Sequence, residues 1–311
     1  MAIDSDSKPM RSESDAYLPP ELERLIFIYA FRDRTQAPTN LFLVAKRIKE
    51  WLLPIAFEVV LIHTHRYFPI KFTTIPKFKQ YGHHIRHLLI TAPLSDYPTP
   101  ELTNVLDECL SLCPNIINLA LWCRRPSIRL ESLFNLSQLT CLSMDIEHLI
   151  KIITDQATQS QTSGPSLPPG LFPKITHLDA IGMYFQAHTA ETQTTTLAHH
   201  FPSLTHIAVL NWTVNQPGIV RMILHKSSNL KALVWWNPIT AQGDLGLRLD
   251  AEETLPVDDE RIVAVVSSRV MDWENAARGI GMGMWDFADM VLEKRRVERT
   301  RRVVDDETRS T

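Results

Sequence analysis

The stretch Ile85-Arg-His-Leu88-Leu-Ile90 decides the fold, because its spacing returns at once in Ile116-Ile-Asn-Leu119-Ala-Leu121. Four more copies follow, at Leu139/Leu142/Met144, Ile175/Leu178/Ala180, Leu204/Ile207/Val209 and Leu230/Leu233/Trp235. Phe57/Val60/Ile62 extends the series forward and Ile262/Val265/Ser267 extends it loosely at the back, with start-to-start spacings of 28, 31, 23, 36, 29, 26 and 32 residues. Within each unit the alternation has the two-residue period of a strand. Between units the spacing is helical, as in Leu102, Val105, Leu106, Cys109, Leu110 and in Ile219, Ile223, Leu224. Parallel strands joined through helices at a near-constant period cannot bury their apolar sides singly, so they stack. The expected class is therefore α/β: an irregular solenoid of parallel strands and helices with roughly seven repeats. A doubly wound sheet alternates in the same way but does not repeat one six-residue consensus in every strand.

The period also assigns side chains to faces. With positions i, i+3 and i+5 of each unit turned to the core, i+4 and i+6 face the opposite side of the sheet. Those positions hold Leu89/Thr91, Ala120/Trp122, Ser143/Asp145, Asp179/Ile181, Ala208/Leu210 and Val234/Trp236. Trp122, Ile181, Leu210 and Trp236 thus form a row across the strands, and two readings of it stand side by side. An open row is a target-binding strip anchored by tryptophan. A row covered by the C-terminal helices is a second core, as parallel strands apolar on both sides usually are.

Polar stretches punctuate the repeats at 154–170, 186–196 and 241–260, and all three are expected as loops. Past them, Trp273 to Arg278 and Trp285 to Val303 have helical patterns separated by Gly279, Gly281 and Gly283. At the other end, residues 1–16 are acidic and serine-rich without an apolar h-region, a tail and not a secretory signal. Leu22, Leu25, Ile26 and Tyr29, then Leu41, Val44, Ile48, Trp51 and Leu52, mark short amphipathic helices, the second expected to stop at Pro54.

The segment Leu18-Pro-Pro-Glu-Leu22, with Leu25-Ile26, Leu41-Phe-Leu-Val-Ala-Lys-Arg47 and Trp51-Leu-Leu-Pro54, resembles an F-box-like domain. The repeats after it resemble the leucine-rich-repeat half of fungal F-box/leucine-rich-repeat proteins. They depart from the regular pattern eight residues after each first apolar position, where Pro93, Arg124, Glu147, Met183, Trp212 and Pro238 stand in place of a ladder-forming Asn. The resemblance implies a non-catalytic substrate receptor of a cullin-based ubiquitin ligase. Leu18, Pro19, Leu22, Ile26, Val44 and Trp51 would then be the characteristic residues of a module that docks on a Skp-type adaptor, while the repeats hold a protein target of unknown identity. The competing reading is a repeat scaffold for protein–protein interaction whose N-terminal helices cap the solenoid. The implied division is a tail at 1–16, an F-box-like module at 17–56, the repeats at 57–270 and C-terminal helices at 271–311.

Chemistry finds no foothold. Net charge is -3, so no global field gathers nucleic acid or anionic lipid, and no run of about 18 apolar residues spans a bilayer. Cys109, Cys113, Cys123 and Cys141 lack the paired spacing of a zinc site and read as buried reduced thiols, consistent with cytoplasm or nucleus. His83-His84 and His199-His200 read as loop or surface residues ahead of strands, and Gly279-x-Gly281-x-Gly283 as an interhelical turn without the Gly-Lys-Ser/Thr ending of a phosphate loop. The run Lys294 to Arg302 is either a solvated helix terminus or a nuclear localisation signal. No catalytic residue, metal ligand or cofactor is expected, and neither are membrane or nucleic-acid contacts.

Overall fold

A computed structural model describes residues 18–32, 39–63, 75–91, 100–123, 128–163, 170–181, 190–210, 217–238, 248–249, 257–267 and 269–309. The chain divides into two compact units, Met1–Ile55 and Ala56–Thr311. In the first, α1 (Pro20–Arg32) begins with proline, whose missing N–H costs nothing in a first helical turn. A short 3-10 turn at Thr39–Leu43 leads to α2 (Lys46–Ala56), which runs two residues beyond Pro54 instead of stopping at it. An Arg47–Glu23 ion pair at 2.7 Å links the two helices, Phe31 packs on Phe42, and Ile48 and Leu52 are buried.

The second unit is built on one sheet. Its strands are β1 (Val59–His63), β2 (His87–Thr91), β3 (Asn118–Trp122), β4 (Cys141–Asp145), β5 (His177–Ile181), β6 (His206–Leu210), β7 (Ala232–Pro238), β8 (Arg248–Leu249) and β9 (Ile262–Ser267). Spatial order follows sequence order through β7, then β9, with β8 at the edge. Eight strands are parallel and only β8 is antiparallel. Between them run α3 (Ile75–Tyr81), α4 (Pro100–Ser111), α5 (Leu130–Phe134), α6 (Ile146–Ser163), α7 (Ala190–His200) and α8 (Pro217–Lys226). After β9 come α9 (Arg269–Arg278) and α10 (Met284–Arg309).

Strand parity dictates the first core. The i, i+3 and i+5 residues of all six main units are buried in a single cluster with apolar residues of α4 to α8. The back unit is shifted: β9 pairs Ile262 with Leu233 and Ala264 with Trp235, so Ile262 and Ala264 reach this core while Val265 faces the other side. At the entry of each unit one carbonyl accepts two consecutive N–H groups of the next. The carbonyls of Glu58, Arg86, Ile117, Thr140, Thr176 and Thr205 serve in turn. Side-chain bonds run beside them in four of the units, each from the residue before the first apolar position. Asn115 donates to the His83 carbonyl, Lys174 to Ser137, Ser203 to Pro173 and Asn229 to Pro202, at 2.6 to 3.0 Å. Polar side chains thus join successive repeats at the entrance of four units.

Three segments expected as loops carry structure. Thr154–Ser163 continues α6, because no proline or glycine interrupts it before Gly164 and each further residue adds one helical bond. Ala190–Thr196 opens α7, with Ala190, Gln193, Thr194 and Leu197 buried along one side. Arg248–Leu249 pairs with β9. His83 and His84 lie in a short 3-10 turn ahead of β2 with His83 exposed, whereas His199 and His200 end α7 and His200 is buried instead of lying on a surface loop. Lys294 to Arg302 lies within α10 and not at its terminus, where Arg295 donates to the Glu260 and Ile262 carbonyls and Arg299 pairs with Glu260. The 1–16 tail lies outside the described residues. No helix among the described residues is long and apolar enough to cross a membrane.

Candidate binding cleft on the second sheet face

The face opposite the first core is covered at the C-terminal end of the chain. Trp122 and Ile181 cluster with Leu89 and Ala120 beneath Val270 and Trp273 of α9. Trp236 clusters with Val234, Val263 and Val265 beneath Ala288 and Val291 of α10. Trp122 is only 9% exposed, Ile181 9% and Trp236 6%, so the open target-binding strip is corrected to a second core: helices returning over the sheet remove the row from solvent. Leu210 occupies the same row by its pairing with Trp236, and its side chain lies outside the described residues.

The cover is incomplete. Over β3 to β7 it leaves a cleft of about 240 Å³, walled by Trp122, Trp236, Trp273 and Trp285 and by Asp179, Asp272 and Asp286. The turn between α9 and α10 sets its mouth. Gly279 adopts φ +66 and closes α9 with its N–H on the Ala276 carbonyl and the Ile280 N–H on the Asn275 carbonyl, a geometry glycine enters without steric cost. Gly283 starts α10 by donating to Asp286 Oδ2 at 3.1 Å, and a Cβ there would stand 2.9 Å from that of Ala276.

Inside, the polar groups are wired to one another. Trp122 Nε1 donates to Ser143 Oγ at 2.7 Å, and Ser143 Oγ donates to Asp179 Oδ2 at 2.5 Å. Trp273 Nε1 donates to Asn118 Oδ1 at 3.3 Å. Position i+2 of the units holds His87, Asn118, Cys141, His177 and His206 in register on neighbouring strands of this same face, a row that the apolar spacing does not reveal. Aligning the units would have found this polar row, with Ala232 alone departing from it. His177 and His206 stack at 4.3 Å, Trp285 lies across them, and His206 Nε2 meets Asp289 Oδ1 of α10 at 3.0 Å.

Burial, helped by the His206 ring and Lys231 against Asp289, pulls the His177 imidazole down to about 4. Burial and then Arg86 do the same to His87. Each is held neutral in the fold but charges near 6.5 when unfolded, so the unfolded chain binds more protons between these values and stability falls as pH drops from about 6.5 toward 4. Discounted for partial exposure, the pair should cost about 2 kcal/mol between pH 6.5 and 5. Urea midpoints across that range measure it, and the His87→Asn, His177→Asn double variant should flatten the profile. An unchanged slope in the variant would refute the assignment.

The four cysteines are free; Cys109, Cys113 and Cys123 are buried, and burial raises their thiols to about 12. Among the described residues no group of three or more His, Cys, Asp or Glu is placed to hold a metal ion. In the first unit, Leu18, Pro19, Leu22, Ile26 and Val44 are exposed and Trp51 is half-buried. No protein-family model and no curated protein matches the chain.

Proposed function

We propose that this protein is a non-catalytic, bivalent receptor. An N-terminal module of F-box-like type docks on a Skp-type adaptor of a cullin-based ubiquitin ligase in cytoplasm or nucleus, and a leucine-rich-repeat-like solenoid holds a protein target. The observation that carries the reading is the apolar stripe of α1. Leu22, Leu25, Ile26 and Tyr29 have the helical spacing of a buried face, yet they are 49%, 48%, 53% and 70% exposed. Phe31 is the buried residue of that helix. An apolar helix face left open is what a partner-docking helix requires, and Leu43 and Val44 of the same unit are exposed as well. The sequence-ordered parallel sheet and its entrance ladder support a repeat body that presents a target surface. With the Trp row covered, the cleft between the sheet and α9–α10 takes over the target-binding role.

The decisive measurement is a pull-down. A purified Skp-type adaptor should co-purify with the full chain and be lost on deletion of residues 1–56. Leu22→Asp with Ile26→Asp, both at exposed positions, should weaken capture at least tenfold while the melting temperature holds. Undiminished capture by either variant, or none by the full chain, defeats the adaptor role and leaves the repeat scaffold.

A further inference from the structure

Thr176-His177 and Thr205-His206 repeat one dipeptide at the same place in neighbouring units, and the two imidazoles stack at 4.3 Å with their planes 10° apart. Helix α10 grips this pair with two residues one turn apart. Trp285 lies across both rings, at 5.2 and 5.9 Å, and Asp289 reaches the edge of one, its Oδ1 standing 3.0 Å from His206 Nε2. Each ring also meets the hydroxyl of its own threonine, through Nδ1 at 2.8 Å. That hydroxyl has a second partner, the carbonyl of the threonine one unit back: Thr140 for Thr176 at 3.4 Å, and Thr176 for Thr205 at 3.1 Å. A hydroxyl has one proton to give, so it serves the ring or the carbonyl and not both. With His206 neutral, Thr205 donates to Nδ1 and the Nε2–H donates to Asp289. With His206 charged, both ring nitrogens donate, to Asp289 and to Thr205 Oγ1, and the Thr205 proton turns to the Thr176 carbonyl. Every partner is kept in both states, so a proton enters without moving a heavy atom.

His177 is built alike but lacks the acid: among the described residues no carboxylate lies within hydrogen-bonding distance of its ring. Burial, then the His206 ring, pulls it down to about 4, so the stack accepts one charge and resists a second. The other titratable and charged groups around the stack are Cys141 and Asp179 on the sheet, Lys231 ahead of β7, Asp272 on α9 and Asp286 on α10. The Cys141 thiol, raised by burial, stays neutral, and Lys231 disfavours any further positive charge on His177. We infer that the stacked His177–His206 pair is a one-proton clasp on α10: with the proton aboard, His206 holds Asp289 as an ion pair, and α10 sits more firmly over the sheet than without it. The partly buried setting gives such a charge-assisted bond more weight than a surface pair, His206 being 4% exposed. Trp285 rests on the stack and also walls the cleft, so the proton steadies one side of its opening. That consequence for a target rests on the target-binding half of the proposed function; the clasp itself does not.

The test uses the full chain, with neither adaptor nor target, from about pH 8 down to 4.5. Imidazole Cε1–H resonances follow the two rings, and amide exchange of Ala288 to Leu292, expressed as protection so that its intrinsic pH dependence drops out, reports the local opening of α10. The first proton should settle on His206 while His177 stays neutral, and protection should rise at least threefold across that step. Asp289→Asn keeps an oxygen to accept the Nε2–H and removes the charge; it should abolish the rise and move the pair's first step to lower pH. Thr205→Val, which takes away the acceptor for the Nδ1–H, should shrink the rise, and Thr205→Ser should retain it. His177→Phe keeps a stacked ring without its proton and should leave the rise in place. Thermal melts confirm that the variants fold, and where one does not, the titration of the unaltered chain still decides through the order of the rings and the sign of the protection change. A first proton on His177, protection that is flat or falls across the His206 step, or a rise that survives Asp289→Asn overturns the clasp. Because no partner is present, failure here leaves the receptor reading standing, and loss of adaptor or target capture leaves the clasp standing.

Discussion

Trp122→Ala and Trp236→Ala should each destabilise the protein by about 3–5 kcal/mol, the range for emptying a buried tryptophan site. For a unit of this size that corresponds to a fall in melting temperature of roughly 10 °C. The expectation follows from the covered face. Trp122 packs with Leu89, Ala120 and Ile181 under Trp273, and Trp236 packs with Val234 and Val263 under α10. Trp122→Ala also removes the donor to Ser143, whose hydroxyl still donates to Asp179. Trp122→Phe keeps most of the ring and loses that hydrogen bond, so it should cost only about 1–2 kcal/mol. Melts unmoved by both alanine substitutions would return the row to an open surface and contradict the covering by α9 and α10.

The second large effect is expected at Asp107. Its carboxylate is buried on α4, yet it serves α5: Oδ1 accepts the Arg129 N–H at 3.2 Å and the Ser132 hydroxyl at 2.6 Å, and Oδ2 accepts Arg129 Nε at 2.7 Å. Arg129 is the N-cap of α5 and makes no side-chain cap of its own, so the short helix is started from outside. That helix brings Leu130 and Leu133 into the first core. Asp107→Ala leaves the helix start without its acceptor and should cost about 2–4 kcal/mol in denaturant unfolding. Arg129→Ala should cost at most about 1 kcal/mol, because the guanidinium is mostly in water and the surface part of the pair contributes little. Equal losses for the two would place the weight on the ion pair and refute the capping account.

In the sequence alone, the six-residue spacing determined strand positions, their parallel order and the residues of the first core, down to Ile85, Leu88 and Ile90 in one unit and Leu230, Leu233 and Trp235 in another. It could do so because alternation along a strand is local: a side chain's face follows from its neighbours two residues away. The polar residue ahead of four units, such as Asn115 or Asn229, carried no such signal, because its partner carbonyl lies one repeat back. Thr154–Ser163 misled because its Gln, Ser and Thr read as loop, whereas a helix already started at Ile146 extends cheaply through them.

Only the tertiary structure decided what lies over the other face. An apolar side chain at i+6 reads the same whether a partner, solvent or a distant helix meets it. The choice was made by contacts spanning 155 residues from Trp273 to Asn118 and 83 residues from His206 to Asp289. Those contacts decide between the open strip and the second core, and set Trp122 and Trp236 in the wall of a cleft. They also bring Asp272 and Asp286 to the same opening as Asp179. No periodicity encodes that meeting, because it depends on the Gly279 to Gly283 turn folding α10 back across the sheet.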